Sequence, residues 1–338
     1  MNIVLIHGKV DTSTIKRGVF KIENYDLAII GSGPVGLFAA HYAHLHGLKS
    51  IIFDSLSEVG GQPRMLYPFK QITDIPAYKK ITGTDLIQKL TDGLAAETKI
   101  VTNHKVEQVV KNTNSFTIDD SVSVRSIIIA TGAGAFQPKE LPLKMDEAVK
   151  KRVHYFIRNP KDFAGQTIGV FGGGDSALDW AIELSNYANI KIIHRRNQFR
   201  GLESNVKKLK SLKNVEILTP YLPKNIQMIN NQLDVSLKEM GGTQLRNEQF
   251  DQIIVAYGFR ANNRFVKKWG IDLDGTNIAV DRSMKTNIDG IYAVGDVATY
   301  SGRVPLIALG FGEAQIAITA IMRDLFPEKT LTIHSTSM

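Results

Sequence analysis

The stretch YDLAIIGSGPVGLFAAHYAHLHGLKSIIFDS, residues 25–55, decides the fold. Asp26 to Ile30 is a short aliphatic run, the pattern of a parallel strand buried on both faces. It leads directly into Gly31-Ser32-Gly33-Pro34-Val35-Gly36, a G-x-G-x-x-G turn. Gly31 permits the tight turn, Gly33 lets a pyrophosphate approach the backbone, and Gly36 lets the next helix press on the sheet. That helix starts with free N–H groups and its positive dipole end aimed at the phosphates. Gly36, Ala40 and Ala43 give it a small-residue face, and Gly47 stops it. A second strand, Ser50 to Phe53, ends in Asp54, about 20 residues beyond the glycines, where a carboxylate accepts from ribose hydroxyls. Strand, turn, helix, strand and acid in this order read as a dinucleotide-binding unit.

The pattern then repeats. Thr167 to Phe171 reads as a strand and Gly172-Gly173-Gly174-Asp175-Ser176-Ala177 as a G-x-G-x-x-A turn. Ala177, Leu178, Ala181, Ile182 and Ser185 line one helix face, and Ile190 to Ile193 is the second strand. Each unit carries a predicted antiparallel meander: Val106–Val110, Ser115–Ile118 and Val122–Val124 in the first, Val215–Leu218, Ile226–Ile229 and Leu233–Leu237 in the second. Ser126 to Ala130 is a further strand closed by Gly132, and Gln252 to Tyr257, ending in Gly258, echoes it. This is duplication of a whole unit rather than a short-period repeat. Two sites in one chain imply two dinucleotides and electron passage between them.

The step from Gly36 to Asp54 equals the step from Ala177 to Arg195. The position that holds an acid in the first unit therefore holds arginine in the second, followed by Arg196 and, a little later, Arg200. An acid there repels a 2′-phosphate, whereas an arginine fork binds one. The second unit reads as an NADP site, with Gly172, Gly174, Ser176 and Ala177 forming its turn. The first reads as a site without that phosphate, consistent with FAD.

Between the two, Gly60-Gly61-Gln62 suits a loop wrapping a ligand. Near the end, a strand from Gly290 to Val294 leads to Gly295-Asp296, then Pro305 and a helix from Leu306 to Leu325. Asp296 has two readings, a cap for that helix or a hydrogen-bond partner for a ligand hydroxyl.

The sequence has 338 residues, enough for two domains, and at 43% hydrophobic and 22% charged residues it is that of a folded globular chain. It has no cysteine, which removes disulfides, thiolate metal sites and any redox-active C-x-x-C, and no metal site is expected. The formal net charge of +8 favours acidic partners or phosphorylated ligands, or else describes a basic solvated surface. Neither a signal peptide nor a membrane span is expected; the nearest apolar stretch, Leu306 to Met322, contains Glu313 and Gln315. Met1 to Asn24 has no periodicity and reads as an extension ahead of the first strand.

GSGPVG, GGQ, ATGAGAFQP, GGGDSALDW, HRRNQFR, GIYAVGDVATY and the terminal HSTS together resemble the thioredoxin-reductase-like ferredoxin–NADP reductases, from about Tyr25 to the C-terminus. Disulfide reductases of that architecture carry C-x-x-C just before the second glycine turn. Val153 to Asn159 stands there in this chain without a thiol, so direct thioredoxin reduction is excluded.

The resemblance implies an α/β fold of two Rossmann-like, three-layer ββα domains, the NADP domain (138–284) inserted in a discontinuous FAD domain (1–137 and 285–338). The joining segments would lie near Gln137–Leu141 and Asp281–Lys285. It implies that Asp54 holds the adenosine ribose, that Gln62 and Asp296 contact the flavin side, and that Val106 and Phe136 line the FAD site. Tyr67 and His334 would flank the isoalloxazine, with Thr336 nearby. The expected reaction is hydride transfer from NADPH to FAD, then single electrons to ferredoxin, with no catalytic side chain beyond those that position the cofactors. Flavodoxin, a quinone or another small acceptor is the nearer alternative, and a flavin-binding regulatory protein without turnover the more distant one. The resemblance further implies a homodimer; with neither signal peptide nor membrane span expected, the reading is of a cytoplasmic protein without nucleic-acid or membrane partners.

Overall fold

A computed structural model describes residues 22–134, 137–260 and 263–329. Two parallel sheets dominate it, and four strands of each follow the same order. In the first, Lys99–Val101, Ser50–Phe53, Glu23–Ile30, Val122–Ile129 and Ile291–Ala293 are successive parallel neighbours. In the second the order is Val215–Leu218, Asn189–Ile193, Thr167–Phe171, Gln252–Val255 and Val153–His154. The duplication read from the glycine turns therefore extends to four strands of each sheet, while the edge strand comes last in the chain in the first (Ile291–Ala293) and first in the second (Val153–His154). Leu27 to Ile30 and Ile168 to Phe171 are buried throughout, as strands covered on both faces must be.

The antiparallel additions differ between the units. In the first, Val109–Lys111 and Phe116–Ile118 continue the main sheet, and Val122–Ile129 is one strand rather than two. Its first half pairs with Phe116–Ile118 and its second half with Ile291–Ala293. In the second, Tyr221–Ile229, Gln232–Glu239 and Leu245–Phe250 form a separate three-stranded sheet. Val215–Leu218, expected in that meander, belongs instead to the parallel sheet. Its apolar run meets Ile190 to Ile193 in register and leaves Leu218 buried.

The closing helix Ile307–Leu325 lies against Pro34–Leu45, with Ala314, Ala317, Ile318 and Ile321 in one core with Leu37, Ala40 and Ala43. Gly310 allows this approach, because a Cβ there would meet the Val35 side chain at 2.4 Å.

The chain passes between the two units at Gln137–Pro138 and Phe259–Arg260, which pair as a two-stranded antiparallel ribbon. The return crossing is therefore near residue 260 and not at Asp281–Lys285. Val266, Ile271 and Ile278 pack in the first unit's core with Ile291 and Val297, and Met284 is buried on its other face. The two units also touch directly: Trp180 donates its indole N–H to the Leu66 carbonyl at 3.3 Å, and Lys70 pairs with Asp179 at 3.2 Å. Phe69 packs on the second unit's core.

Candidate dinucleotide sites

A cleft opens at the carboxyl ends of the first sheet's strands, where ligands bind in open α/β sheets. It encloses about 1190 Å³ of non-protein space, open solvent at its mouth included. Its walls bring together Gly31, Gly33, Asp54, Gln62, Tyr67, Val106 and Asp296, from segments far apart in the chain. Gly36 is not on the wall. It lies under the turn, where a Cβ would stand 1.9 Å from the Gly31 carbonyl oxygen. Phe136, His334 and Thr336 lie outside the described residues.

The first turn is built by exclusion. Gly31 has φ +112°, and a Cβ on it would meet the Ala130 carbonyl oxygen at 2.4 Å. Gly33 is different: its φ is −67° and nothing lies within 4 Å of where its Cβ would be. The protein itself does not require glycine there. The free space lies at the start of a helix, as a bound pyrophosphate demands, so the site fits a dinucleotide. Pro34 opens that helix with no N–H to satisfy.

Asp54 is buried and accepts from the Ser32 backbone N–H at 2.7 Å, the Ser32 hydroxyl at 2.5 Å and the Leu56 N–H at 2.8 Å. A carboxylate has about four acceptor positions, so it can cross-link turn and strand end and still take a ribose hydroxyl. The Gly60-Gly61-Gln62 loop docks on the turn. Gly60 donates to the Ser32 carbonyl at 3.0 Å, both glycines have positive φ, and Gly61 lies against Gly33.

At the other end of the cleft, Asp296 does not cap the closing helix, whose start is at Leu306 with no side-chain cap. It faces the cleft and takes Arg303 Nη2 at 3.3 Å. Burial, with the nearby charges of Asp296 and Asp74, pushes the Tyr67 phenol up to about 12, so it stands in the cleft neutral and protonated. His104, Lys105, Thr131 and Phe265 also line the cleft. Sequence reading missed them. His104 and Lys105 directly precede Val106, which was the available signal, whereas Phe265 arrives only through the early return of the chain.

In the second turn Gly172 repeats Gly31, since a Cβ there would meet the Ala256 carbonyl oxygen at 2.6 Å. Gly174 repeats Gly33, with φ −98° and open space at its Cβ. Ser176 is exposed at the helix start and Ala177 is buried beneath it. Strand register corrects the sequence count. Ile30 pairs with Phe53 in the first unit and Phe171 with Ile193 in the second, so Asp54 corresponds to His194, and Arg195 follows one place later. The second unit is one residue shorter between turn and strand end, which matched steps from the helix could not reveal.

His194 is buried, packed against Gly173 and stacked on Phe199 at 5.6 Å. Burial pushes its pKa down, so the position that carries a carboxylate in the first unit carries a neutral ring in the second. Arg195, Arg196 and Arg200 are exposed, and no ion pair holds them among the described residues. The segment after them folds back: Arg200 donates its backbone N–H to the Gly173 carbonyl at 2.7 Å, and Leu202 N–H donates to Asp175 at 2.9 Å. Three guanidinium groups are thus gathered beside the second turn. Tyr257 is close enough to feel the Arg195 charge, which opposes the burial that raises its phenol to about 12.

Residues 25–321 match the family model "Pyridine nucleotide-disulphide oxidoreductase". The chain belongs to this family. It is 76% identical over 310 residues to a protein named ferredoxin–NADP reductase from Lactobacillus helveticus, covering 92% of this chain and all of that one. A protein of the same name from Lactobacillus acidophilus is 74% identical, over 90% of this chain and 98% of its own length. Thioredoxin reductase from Lactococcus lactis superposes with a TM-score of 0.73 at 27% identity, over 90% of this chain and 99% of that chain. The protein from T. acidophilum gives a TM-score of 0.73 at 25% identity, over 89% of this chain and 99% of its own. The fold is thioredoxin-reductase-like, and the chain is a flavoprotein oxidoreductase of the ferredoxin–NADP reductase group with FAD and NADPH as cofactors.

The two glycines of the first turn have opposite expected responses to the same substitution. Gly36→Ala should lower stability by about 1–3 kcal/mol or more, because the methyl has no room. Gly33→Ala should leave the urea midpoint of the FAD-free protein unchanged or slightly raised, yet weaken FAD binding by about 10-fold or more. Equal loss of FAD binding and of stability in Gly33→Ala would contradict the open-space reading.

Arg195→Ala should raise KM for NADPH by about 10- to 100-fold, the worth of one charge-assisted hydrogen bond, and leave KM for NADH nearly unchanged. Steady-state kinetics with both nucleotides checks this, and parallel increases would remove Arg195 from 2′-phosphate recognition.

Proposed function

We propose that this enzyme takes hydride from NADPH on its second unit, holds FAD in the first-unit cleft, and delivers single electrons to a ferredoxin. The observation that carries the reading is the contrast at corresponding strand ends. Asp54 puts a carboxylate in one site, while neutral His194 followed by Arg195 and Arg196 makes the other hospitable to a 2′-phosphate. FAD, when bound, supplies the conversion of a two-electron donor into one-electron transfers. The chain's own part is placement. Asp54 binds the adenosine ribose, and the helix that begins at Pro34 turns its N–H groups to the pyrophosphate. Gln62 and Asp296 orient the flavin end, and Val106 lines the adenosine end. Tyr67 offers a neutral aromatic face; Phe136, His334 and Thr336, given flavin-site roles by the resemblance, lie outside the described residues.

In this reading the FAD-binding domain comprises the chain up to about Gln137 and again from about Asn263, and the NADP domain lies between. The ribbon of Gln137–Pro138 and Phe259–Arg260 is the natural pivot between them. Among the described residues no helix is long and apolar enough to cross a membrane. We take the enzyme as a homodimer, as the family resemblance implies, and as cytoplasmic. With no cysteine in the chain, no dithiol of its own stands between flavin and acceptor, in keeping with a separate electron carrier.

Ferredoxins are acidic, and a formal charge of +8 steers such a partner to the surface. The Debye length falls from about 30 Å at 0.01 M salt to about 10 Å at 0.1 M. The ratio of kcat/KM with ferredoxin to kcat/KM with a neutral quinone should therefore drop steeply across that range. A flat ratio would contradict ferredoxin as the steered acceptor, and a quinone or flavodoxin preferred at every salt concentration would replace it.

A further inference from the structure

Glu313 lies on the closing helix and is only 1% exposed, an unusual place for a carboxylate. Its two oxygens are fully engaged. Oε2 accepts the Gly295 backbone N–H at 2.7 Å, and Oε1 accepts the Tyr300 hydroxyl at 2.8 Å and Arg303 Nε at 2.9 Å. Arg303 is itself buried, 7% exposed at the side chain, and its Nη2 reaches past Glu313 to Asp296 Oδ1 at 3.3 Å. Asp296, by contrast, keeps 40% of its side chain exposed and forms part of the cleft wall, as does Gly295. One buried acid thus grips both the backbone and, through a guanidinium, the side chain of the Gly295-Asp296 pair.

Burying this pair is costly unless the geometry does something that an apolar filling would not. A helix that packs against Val35 through its own Gly310 needs no ion pair for adhesion; alanine and isoleucine would serve, as they do at Ala314, Ala317 and Ile318. What an apolar filling could not do is hold Asp296 against the cleft wall. The aspartate follows Gly295, which has φ +74°, and it has no other side-chain partner among the described residues. Arginine suits the task because its planar fork meets two carboxylates with donors fixed in one plane, whereas an ammonium is a point charge with rotatable donors on a flexible stem.

We propose that Glu313 and Arg303 are positioning residues for FAD, acting through Asp296: the buried pair fixes the rotamer with which Asp296 meets the bound cofactor. The inference rests on the assignment of the cleft to FAD. It predicts that loosening the pair weakens FAD binding in a way that depends on the aspartate carboxylate.

The test is a double-mutant cycle read by FAD titration of the cofactor-stripped protein, following quenching of flavin fluorescence. Arg303→Lys keeps the charge and loses the fork. It should raise the FAD dissociation constant about 10-fold beside native Asp296, and by no more than about twofold in the Asp296→Asn background. Glu313→Gln is the second variant, and its effect should likewise shrink when Asp296 is Asn. Thermal midpoints of the six proteins without FAD read stability separately, and any dependence on background should be smaller there than in FAD binding. If both variants weaken FAD equally in both backgrounds, or not at all, the pair is merely structural and the proposal is overturned. Failure of the unsubstituted stripped protein to take up FAD would instead contradict the assignment of the cleft.

Discussion

A carbonyl oxygen stands where a side chain would begin. Ala130 places its oxygen 2.4 Å from any Cβ on Gly31, and Ala256 does the same to Gly172 at 2.6 Å. Each contact arises because the neighbouring parallel strand, Val122–Ile129 in one unit and Gln252–Val255 in the other, continues one residue past the strand that enters the turn and closes over it. Ala130 N–H bonds to the Ile30 carbonyl at 2.8 Å and Ala256 N–H to the Phe171 carbonyl at 2.7 Å. The turn is thereby forced tight, the helix begins at once, and its N-terminus faces the carboxyl edge of the sheet. Both candidate sites, and the cleft between sheet and closing helix, depend on this constraint. A side chain at either glycine would push the turn off the neighbouring strand.

From that common frame the two units diverge where chemistry requires it. In the first, Asp54 ties the strand end to Ser32 of the turn and keeps acceptor capacity facing the cleft. In the second, the corresponding His194 turns inward against Gly173 and leaves the cationic residues that follow it at the surface. One copy therefore presents an acid and the other a cluster of guanidinium groups, with the same backbone beneath. The antiparallel additions diverge too, and the closing helix serves only the first unit, where it supplies the buried Glu313.

Much of this is legible in the residues. The glycine turns, the small face of the first helix and the duplication follow from spacing alone, because each is a local steric demand. What is not legible is set by packing over distance. Nothing in Val266, Ile271 or Ile278 announces that the chain has already returned to the first core, since single apolar residues without a period suit either unit. The one-residue difference that aligns Asp54 with His194 rather than Arg195 is hidden in the loop between helix and strand, and only the hydrogen-bonded register exposes it. Val215–Leu218 has the composition of either a meander or a central strand. Glu313 says least about its place: in the sequence it counts only against a membrane span, whereas the fold buries it with three donors around it.

The central claim is that one chain holds two dinucleotides and passes hydride from one to the other. The most direct measurement is anaerobic mixing of the FAD-loaded protein with excess NADPH or NADH, following the flavin absorbance near its long-wavelength band. The account predicts rapid and complete bleaching with NADPH and much slower bleaching with NADH at equal concentration. No bleaching with NADPH, or bleaching at the same rate with both, would contradict it.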